Sequence, residues 1–102
     1  MSIDLISDTI ERISVVLPRP FTTHNVVEEL ILNHRDEWNN FVNGYEQNER
    51  NIATQEQIAV QQVGRYLGRN ANNLGFAQRA QIPSNIIRGL SGHKPQRTTQ
   101  WI

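Results

Sequence analysis

The spacing of apolar residues in the N-terminal segment constrains the fold of this chain more than any other feature of its sequence. Five of these residues follow one another at intervals of three or four positions: Ile3, Ile6, Ile10, Ile13 and Leu17. That interval places their side chains on one face of an α-helix, and such a stripe has to be buried. We therefore expect a helix over 1–17, with Ser2 at its N-cap.

A stiff connector and a second helical region follow. The Pro-Arg-Pro connector over 18–20 ends the first helix, because each proline fixes its own φ and keeps the preceding residue out of the helical conformation. Thr22 is suited to cap the next helix, since it would place Phe21 and Val26 at the two positions of a hydrophobic staple. Apolar residues then continue at helical spacing. They predict a helical region over 22–42 that either runs on or breaks midway.

The most regular helical pattern lies over 54–74. Thr54 and Gln57 match a capping box at its start, and Gly75 stands where a left-handed C-cap would fall. The residues expected on the buried face are Ala59, Val63, Tyr66, Leu67, Asn70 and Leu74. The preceding stretch 39–51 is rich in asparagine and is predicted to be a loop.

Two short β-prone runs near the end of the sequence predict a hairpin over 85–102. The first run centres on Ile86 and Ile87 and the second on Thr98 and Thr99, with a loop that contains glycine and proline between them. We expect the second strand to pack its tryptophan under the hairpin.

Length and composition bound the architecture. The chain has 102 residues and no cysteine, so we expect one domain, 1–102, built without disulfides. The predicted fold class is mainly α with a small C-terminal β-hairpin. The longest apolar stretch has four residues, whereas a membrane span needs roughly 20. We therefore expect a cytoplasmic protein that makes no membrane contact.

The charges are segregated along the chain although they sum to zero. Residues 1–56 contain all ten acidic residues and four arginines, a net charge of −6. Residues 57–102 contain six basic residues and no acidic residue, a net charge of +6. Nine of the ten basic residues are arginine, whose planar guanidinium suits phosphates and base edges. This distribution favours nucleic acid as the partner of the C-terminal half.

The order of the predicted elements resembles that of winged helix-turn-helix DNA-binding domains. The resemblance rests on Phe21-Thr22-Thr23 at the start of the second helix, on the third helix over 55–74 and on the closing hairpin over 85–101. It implies three or four helices plus a wing, with the third helix in the major groove of duplex DNA and the wing on the backbone or the minor groove. It also implies a small regulator of transcription.

The residues that the resemblance assigns to DNA are polar or basic and come from the third helix and the wing. Arginine would contact guanine edges or phosphates, and glutamine and asparagine would contact adenine edges or phosphates. The predicted DNA-binding residues are Gln61, Gln62, Arg65, Arg69, Asn72, Asn73, Arg79, Arg88, His93, Lys94 and Arg97.

Catalytic and metal-binding patterns are weak by comparison. His24 and Glu28 have the i, i+4 spacing of two metal ligands and His34 lies further along, but the H-E-x-x-H motif is absent. The sequence has no G-x-S-x-G motif, no glycine-rich phosphate loop and no carboxylate pair in its basic half. We therefore expect no enzymatic activity, no metal, no cofactor and no small-molecule substrate.

A protein-interaction module is the alternative hypothesis. In it the basic half binds an acidic protein, and the apolar stripe of the first helix joins two copies of the chain, because its spacing also suits a heptad seam. The dimer interface would then consist of Ile3, Ile6, Ile10, Ile13 and Leu17. Dimerisation is compatible with DNA binding, since a two-fold dimer presents two recognition helices to neighbouring half-sites. Salt separates DNA from an acidic protein, because phosphate binding weakens steeply as salt rises.

Overall fold

The computed structural model describes residues 3–44, 52–83, 87, 89, 90 and 96–102. One turn of 3-10 helix, Ile3–Leu5, precedes the first α-helix. The described residues form these helices and strands in chain order: α1 Ser7–Val16, β1 Phe21–Thr22, α2 Thr23–Asn33, α3 Arg35–Asn43, α4 Ile52–Leu74, β2 Gln78–Pro83 and β3 Arg97–Trp101. The fold is mainly helical with a small antiparallel sheet, and the predicted fold class is confirmed at that level.

The apolar stripe of α1 is buried in the protein's own core. Ile6, Ile10 and Ile13 are at most 3% exposed, and Ile3 and Leu17 pack against the same core while partly buried. The apolar stripe is therefore removed from water within a single chain. In this fold its central isoleucines are inaccessible to a second copy, so the stripe does not supply a dimer interface.

The ends of α1 follow local backbone chemistry. The N-cap position is Ile6, without a side-chain cap, and the predicted cap Ser2 lies outside the described residues. The helix ends at Val16 because Leu17 is extended, with φ −66° and ψ 137°, as the residue before Pro18 has to be.

The predicted cap of α2 is confirmed. The Thr22 hydroxyl accepts a hydrogen bond from the Asn25 N–H at 3.1 Å, and the Asn25 side-chain oxygen accepts one from the Thr22 N–H at 2.8 Å. These reciprocal bonds satisfy two backbone donors that a helix start leaves unpaired. The helical region over 22–42 breaks at His34, which separates α2 from α3.

Two predictions overlap at 39–42: the helical region over 22–42 is confirmed there, whereas the loop over 39–51 is wrong for its first part, which belongs to α3. Trp38, Phe41 and Val42 of this helix are buried in the core. Their burial outweighs the modest helix propensity of the asparagines between and beside them. Residues 45–51 lie outside the described residues.

The longest helix, α4, confirms the prediction over 54–74 and begins two residues earlier, at Ile52. Thr54 therefore lies inside the helix, and the predicted capping box is wrong. The predicted end is confirmed: Gly75 has φ +85°, and the N–H groups of Gly75 and Phe76 both donate to the carbonyl of Ala71. This left-handed cap closes the helix and turns the chain toward the sheet.

The first strand of the hairpin differs from the sequence prediction. It is β2, Gln78–Pro83, and it pairs antiparallel with β3 from Gln78 opposite Trp101 to Pro83 opposite Arg97. Five of its six side chains are exposed, so β2 lacks the apolar alternation that marks a half-buried strand. Of the residues expected in that strand, Ile87 is buried without being in a strand, and Ile86 lies outside the described residues.

A third strand joins the sheet from the connector between α1 and α2. In β1, Phe21 lies opposite Trp101 and Thr22 opposite Gln100, which gives the strand order β1-β3-β2. Trp101 is 2% exposed, and its ring meets the ring of Phe76 edge-on at 5.5 Å. Phe76 in turn meets Phe21 at 5.4 Å. This aromatic cluster fixes the sheet beside α4.

Replacing glycine by alanine is expected to have opposite effects on stability at Gly89 and at Gly68. Gly89 has φ +92°, and a Cβ there would collide with Ile31 Cγ2. Gly68 lies within α4, where a Cβ would meet Trp101 at an ordinary 3.7 Å. We expect Gly89→Ala to lower the free energy of unfolding by about 1–3 kcal/mol and Gly68→Ala to raise it by about 0.5–1 kcal/mol. Urea unfolding of the two variants measures both, and equal changes in the same direction would contradict the described backbone.

Tyr66 predicts a pH dependence of stability. Its hydroxyl donates a hydrogen bond to Glu11 Oε1 at 2.7 Å, and burial, reinforced by this carboxylate, raises the pKa of Tyr66 from 10.0 to about 12. Because the folded state favours the neutral phenol, its stabilising contribution is complete below pH 10.0 and is lost as the pH rises to about 12. Urea unfolding across this range should show a steeper loss for the wild type than for Tyr66→Phe. Parallel losses would assign the effect to other groups.

Candidate nucleic-acid interface

A groove of about 460 Å³ lies between α4 and the β2–β3 hairpin. Its floor is formed where the start of α2 meets β3. The lining residues are Thr23, His24, Val60, Gln61, Gly64, Arg65, Gln78, Gln81, Arg97, Thr98 and Thr99. We call it the basic groove.

The α4 wall of the basic groove follows from helical spacing. Gln61, Gly64 and Arg65 stand at i, i+3 and i+4, so they lie on one face. Gln61 and Arg65 are exposed. Gly64 has no side chain, and a Cβ there would lie 3.6 Å from Thr23 Cγ2, which is ordinary contact. The α4 wall of the groove therefore has no side chain at Gly64, between the long polar side chains of Gln61 and Arg65.

Buried hydrogen bonds hold the floor and the opposite wall in place. The backbone N–H of His24 donates to Thr98 Oγ1 at 3.2 Å, and Trp101 Nε1 donates to Thr23 Oγ1 at 3.1 Å. Both bonds join the start of α2 to β3. The sheet is thus tied to the helical body by bonds to Thr23, His24 and Thr98, three residues that line the basic groove.

The charged side chains that line the basic groove are positive. Two guanidiniums, Arg65 and Arg97, project from opposite walls, and both residues are exposed. None of the described residues that line the groove is aspartate or glutamate. Arginine stays protonated at every pH a folded protein meets, and side-chain amides can both donate and accept hydrogen bonds. The groove therefore offers fixed positive charge and adaptable polar groups to an anionic ligand.

The structure brings three of the predicted DNA-binding residues together in this groove: Gln61, Arg65 and Arg97. The other described ones lie outside its lining. Gln62 is half-buried on α4, and the exposed residues are Arg69, Asn72 and Asn73 on later turns of α4 and Arg79 on β2. The predicted wing residues Arg88, His93 and Lys94 fall outside the described residues.

The basic groove also contains polar residues that the sequence prediction missed. Gln78 and Gln81 are contributed by β2, and Thr99 lies opposite Gln81 on β3. Gln78 and Gln81 were missed because β2 itself was not predicted. The acid-free composition of 57–102 is the one sequence signal that includes them.

The described segments contain neither a cluster of metal ligands nor a membrane-spanning helix. In the described segments, no three histidine, aspartate or glutamate side chains are grouped so as to hold a metal ion. His24, one of the residues with metal-ligand spacing, is 3% exposed at the groove floor. No helix among the same residues has the length and apolar character that a membrane span requires.

The chain was compared with protein-family models, with curated proteins and with solved structures. No family model, no curated protein and no solved structure matches it.

Proposed function

We propose that this chain is a non-enzymatic protein of winged helix-turn-helix type that binds duplex DNA through α4 and the β2–β3 hairpin. The observation that carries this proposal is the basic groove, in which arginines from a helix and from a hairpin face one cleft without a carboxylate among the described lining residues. Regulation of transcription is the role we propose for it, by analogy with that type of domain.

The order of the elements supports the proposal. A helix, a short strand, further helices, a long helix and a hairpin follow one another, and the short strand β1 joins the hairpin through β3. This order agrees with a winged helix in which α4 precedes the wing. It departs from a simple helix-turn-helix in one respect, because α3 stands between α2 and α4.

The dimensions and chemistry of α4 also support it. The major groove of B-DNA admits an α-helix, and arginine and glutamine are the side chains suited to guanine and adenine edges. Arg65 and Gln61 stand one helical turn apart on the exposed face of α4. In our proposal they contact bases or phosphates, while Arg97 contacts a phosphate across the basic groove and fixes the register of the protein on the duplex.

Salt dependence tests this proposal. A labelled random duplex of about 30 base pairs is titrated with the protein, and anisotropy is followed from low to physiological salt. The described part of the basic half, residues 57–102, contains four arginines: Arg65, Arg69, Arg79 and Arg97. If each neutralises one phosphate, the logarithm of the binding constant should fall against the logarithm of salt with a slope of about −4.

An acidic polypeptide of matched length, such as polyglutamate, is the control ligand. Tight binding to the duplex with a steep salt slope, and weaker binding to the polypeptide, supports DNA as the partner. Failure to bind the duplex at low salt would overturn the proposal and favour the protein-interaction module in its place.

A further inference from the structure

The N-terminal segment has a second face, opposite the buried stripe, that is exposed to solvent. It consists of Asp8, Arg12, Val15 and Val16 of α1, with Leu5 of the preceding 3-10 turn at its N-terminal end, and we call it the outer face of α1. Its apolar members Leu5, Val15 and Val16 are 55%, 64% and 77% exposed. The spacing of Asp8, Arg12 and Val15 at intervals of four and three places them on one face of α1. Val15 and Val16 are adjacent, and large apolar side chains grouped at a surface are typical of an interaction site.

The outer face borders a groove of about 740 Å³ between α1 and the end of α4. Leu74 of α4 adds a further apolar side chain to this groove, and Glu11 lines its edge. Glu11 is already hydrogen-bonded to Tyr66, and Arg12 donates to Thr9 Oγ1 at 3.2 Å. The groove lining therefore combines three apolar side chains, Val15, Val16 and Leu74, with two carboxylates and one guanidinium.

The charges along the outer face allow two copies of the segment to pair favourably when they are antiparallel. Two antiparallel copies of the segment, centred on Ile10, place Asp8 opposite Arg12 of the partner subunit, and by symmetry Arg12 opposite Asp8 of the partner subunit. The same register brings the N-terminal end of one outer face, near Leu5, against the C-terminal end of the other, at Val15 and Val16. Two parallel copies would instead oppose like charges at both positions, which is unfavourable.

We propose that two copies of this chain associate through the outer face of α1, with the two helices antiparallel. The contact is isologous, so it closes on a dimer and leaves no free seam for further copies. A ten-residue helix is about 15 Å long, so the interface is small and the dimer is a weak one. This inference does not depend on DNA binding, and its test contains no DNA.

The test is sedimentation equilibrium of the full chain from about 1 μM to about 1 mM. The wild type should form dimers within this range. Asp8→Arg and Arg12→Asp should each weaken self-association by at least about tenfold, because each opposes like charges twice across the two-fold axis. An equimolar mixture of these two variants should dimerise again, since every pair across its interface is then of opposite charge. The double variant Asp8→Arg/Arg12→Asp should also dimerise.

Asp36→Arg is the matched control, because Asp36 is an exposed acid in the first turn of α3 and lies off the outer face. It makes the same change in charge and should leave self-association unchanged. Circular dichroism confirms that each variant is folded. A wild type that is monomeric throughout, single variants that associate as the wild type does, or a mixture that stays monomeric would each overturn the proposal.

Discussion

Replacing Trp101 by alanine is expected to lower the free energy of unfolding by about 3–5 kcal/mol, the largest loss we expect from one substitution in this chain. The side chain is 2% exposed and packs edge-on against Phe76. Its indole N–H donates to Thr23 Oγ1 at 3.1 Å. Truncation therefore leaves a cavity where the sheet meets α2 and α4, and an unpaired hydroxyl beside it.

The neighbouring residue supplies the control for this prediction. Ile102 is 48% exposed and its backbone bonds to Ala77, which alanine would keep. Ile102→Ala should change the free energy of unfolding by about 0.5 kcal/mol or less. Chemical unfolding measured by circular dichroism compares the two variants. Similar losses for both would contradict the position of Trp101 in the core.

Removing the arginines of the basic groove is expected to have the largest effect on DNA binding. Arg65→Ala and Arg97→Ala should each weaken binding to duplex DNA by about 1–3 kcal/mol. Arg69→Ala should cost less, because Arg69 is exposed one turn further along α4 and does not line the groove. Anisotropy titration at fixed low salt measures all three.

A conservative replacement at Arg65 distinguishes a contact with phosphate from a contact with a base edge. Arg65→Lys keeps the charge but loses the planar fork, so it should recover binding if Arg65 meets a phosphate and fail to recover it if Arg65 binds a guanine edge in bidentate fashion. Arg35→Ala, on α3 and in the acidic half, is the control and should bind as the wild type does. Equal losses at Arg35 and Arg65 would show that net charge, and not the groove, governs binding.

The helices were the predictable part of this fold, because their signals are local. The stripe from Ile3 to Leu17 indicates one buried face whatever surrounds it, and Thr22 with its neighbours suffices to cap α2. Gly75 marks the end of α4 for the same reason, since a left-handed residue is needed there and glycine supplies it without steric cost.

The elements that sequence reasoning missed depend on distant partners. β2 carries polar, exposed side chains, and its strand conformation is stabilised by pairing with β3 about twenty residues away in sequence. The end of α3 carried two overlapping predictions, a helical region to 42 and an asparagine-rich loop from 39, and the burial of Trp38, Phe41 and Val42 decides for the helix. Local propensity does not decide either outcome, because the deciding contacts are tertiary.

The basic groove was predictable only in part. Gln61 and Arg65 were found from helical spacing and from the acid-free composition of the C-terminal half, and Arg97 from its place in the predicted wing. Gln78 and Gln81 could not be placed, because their position follows from the register of β2 against β3. The sequence also left two destinations open for the stripe of α1, and only the packed structure distinguishes them.

The most direct test of the central claim is a titration of the isotopically labelled protein with duplex DNA at low salt, followed by NMR chemical shifts of the amides and side chains. Binding in the basic groove predicts the largest shifts at Gln61, Arg65, Gln81 and Thr99, with small changes throughout α1 and α3. Shifts concentrated on α1 or α3, or the absence of any shift at saturating duplex, would contradict it.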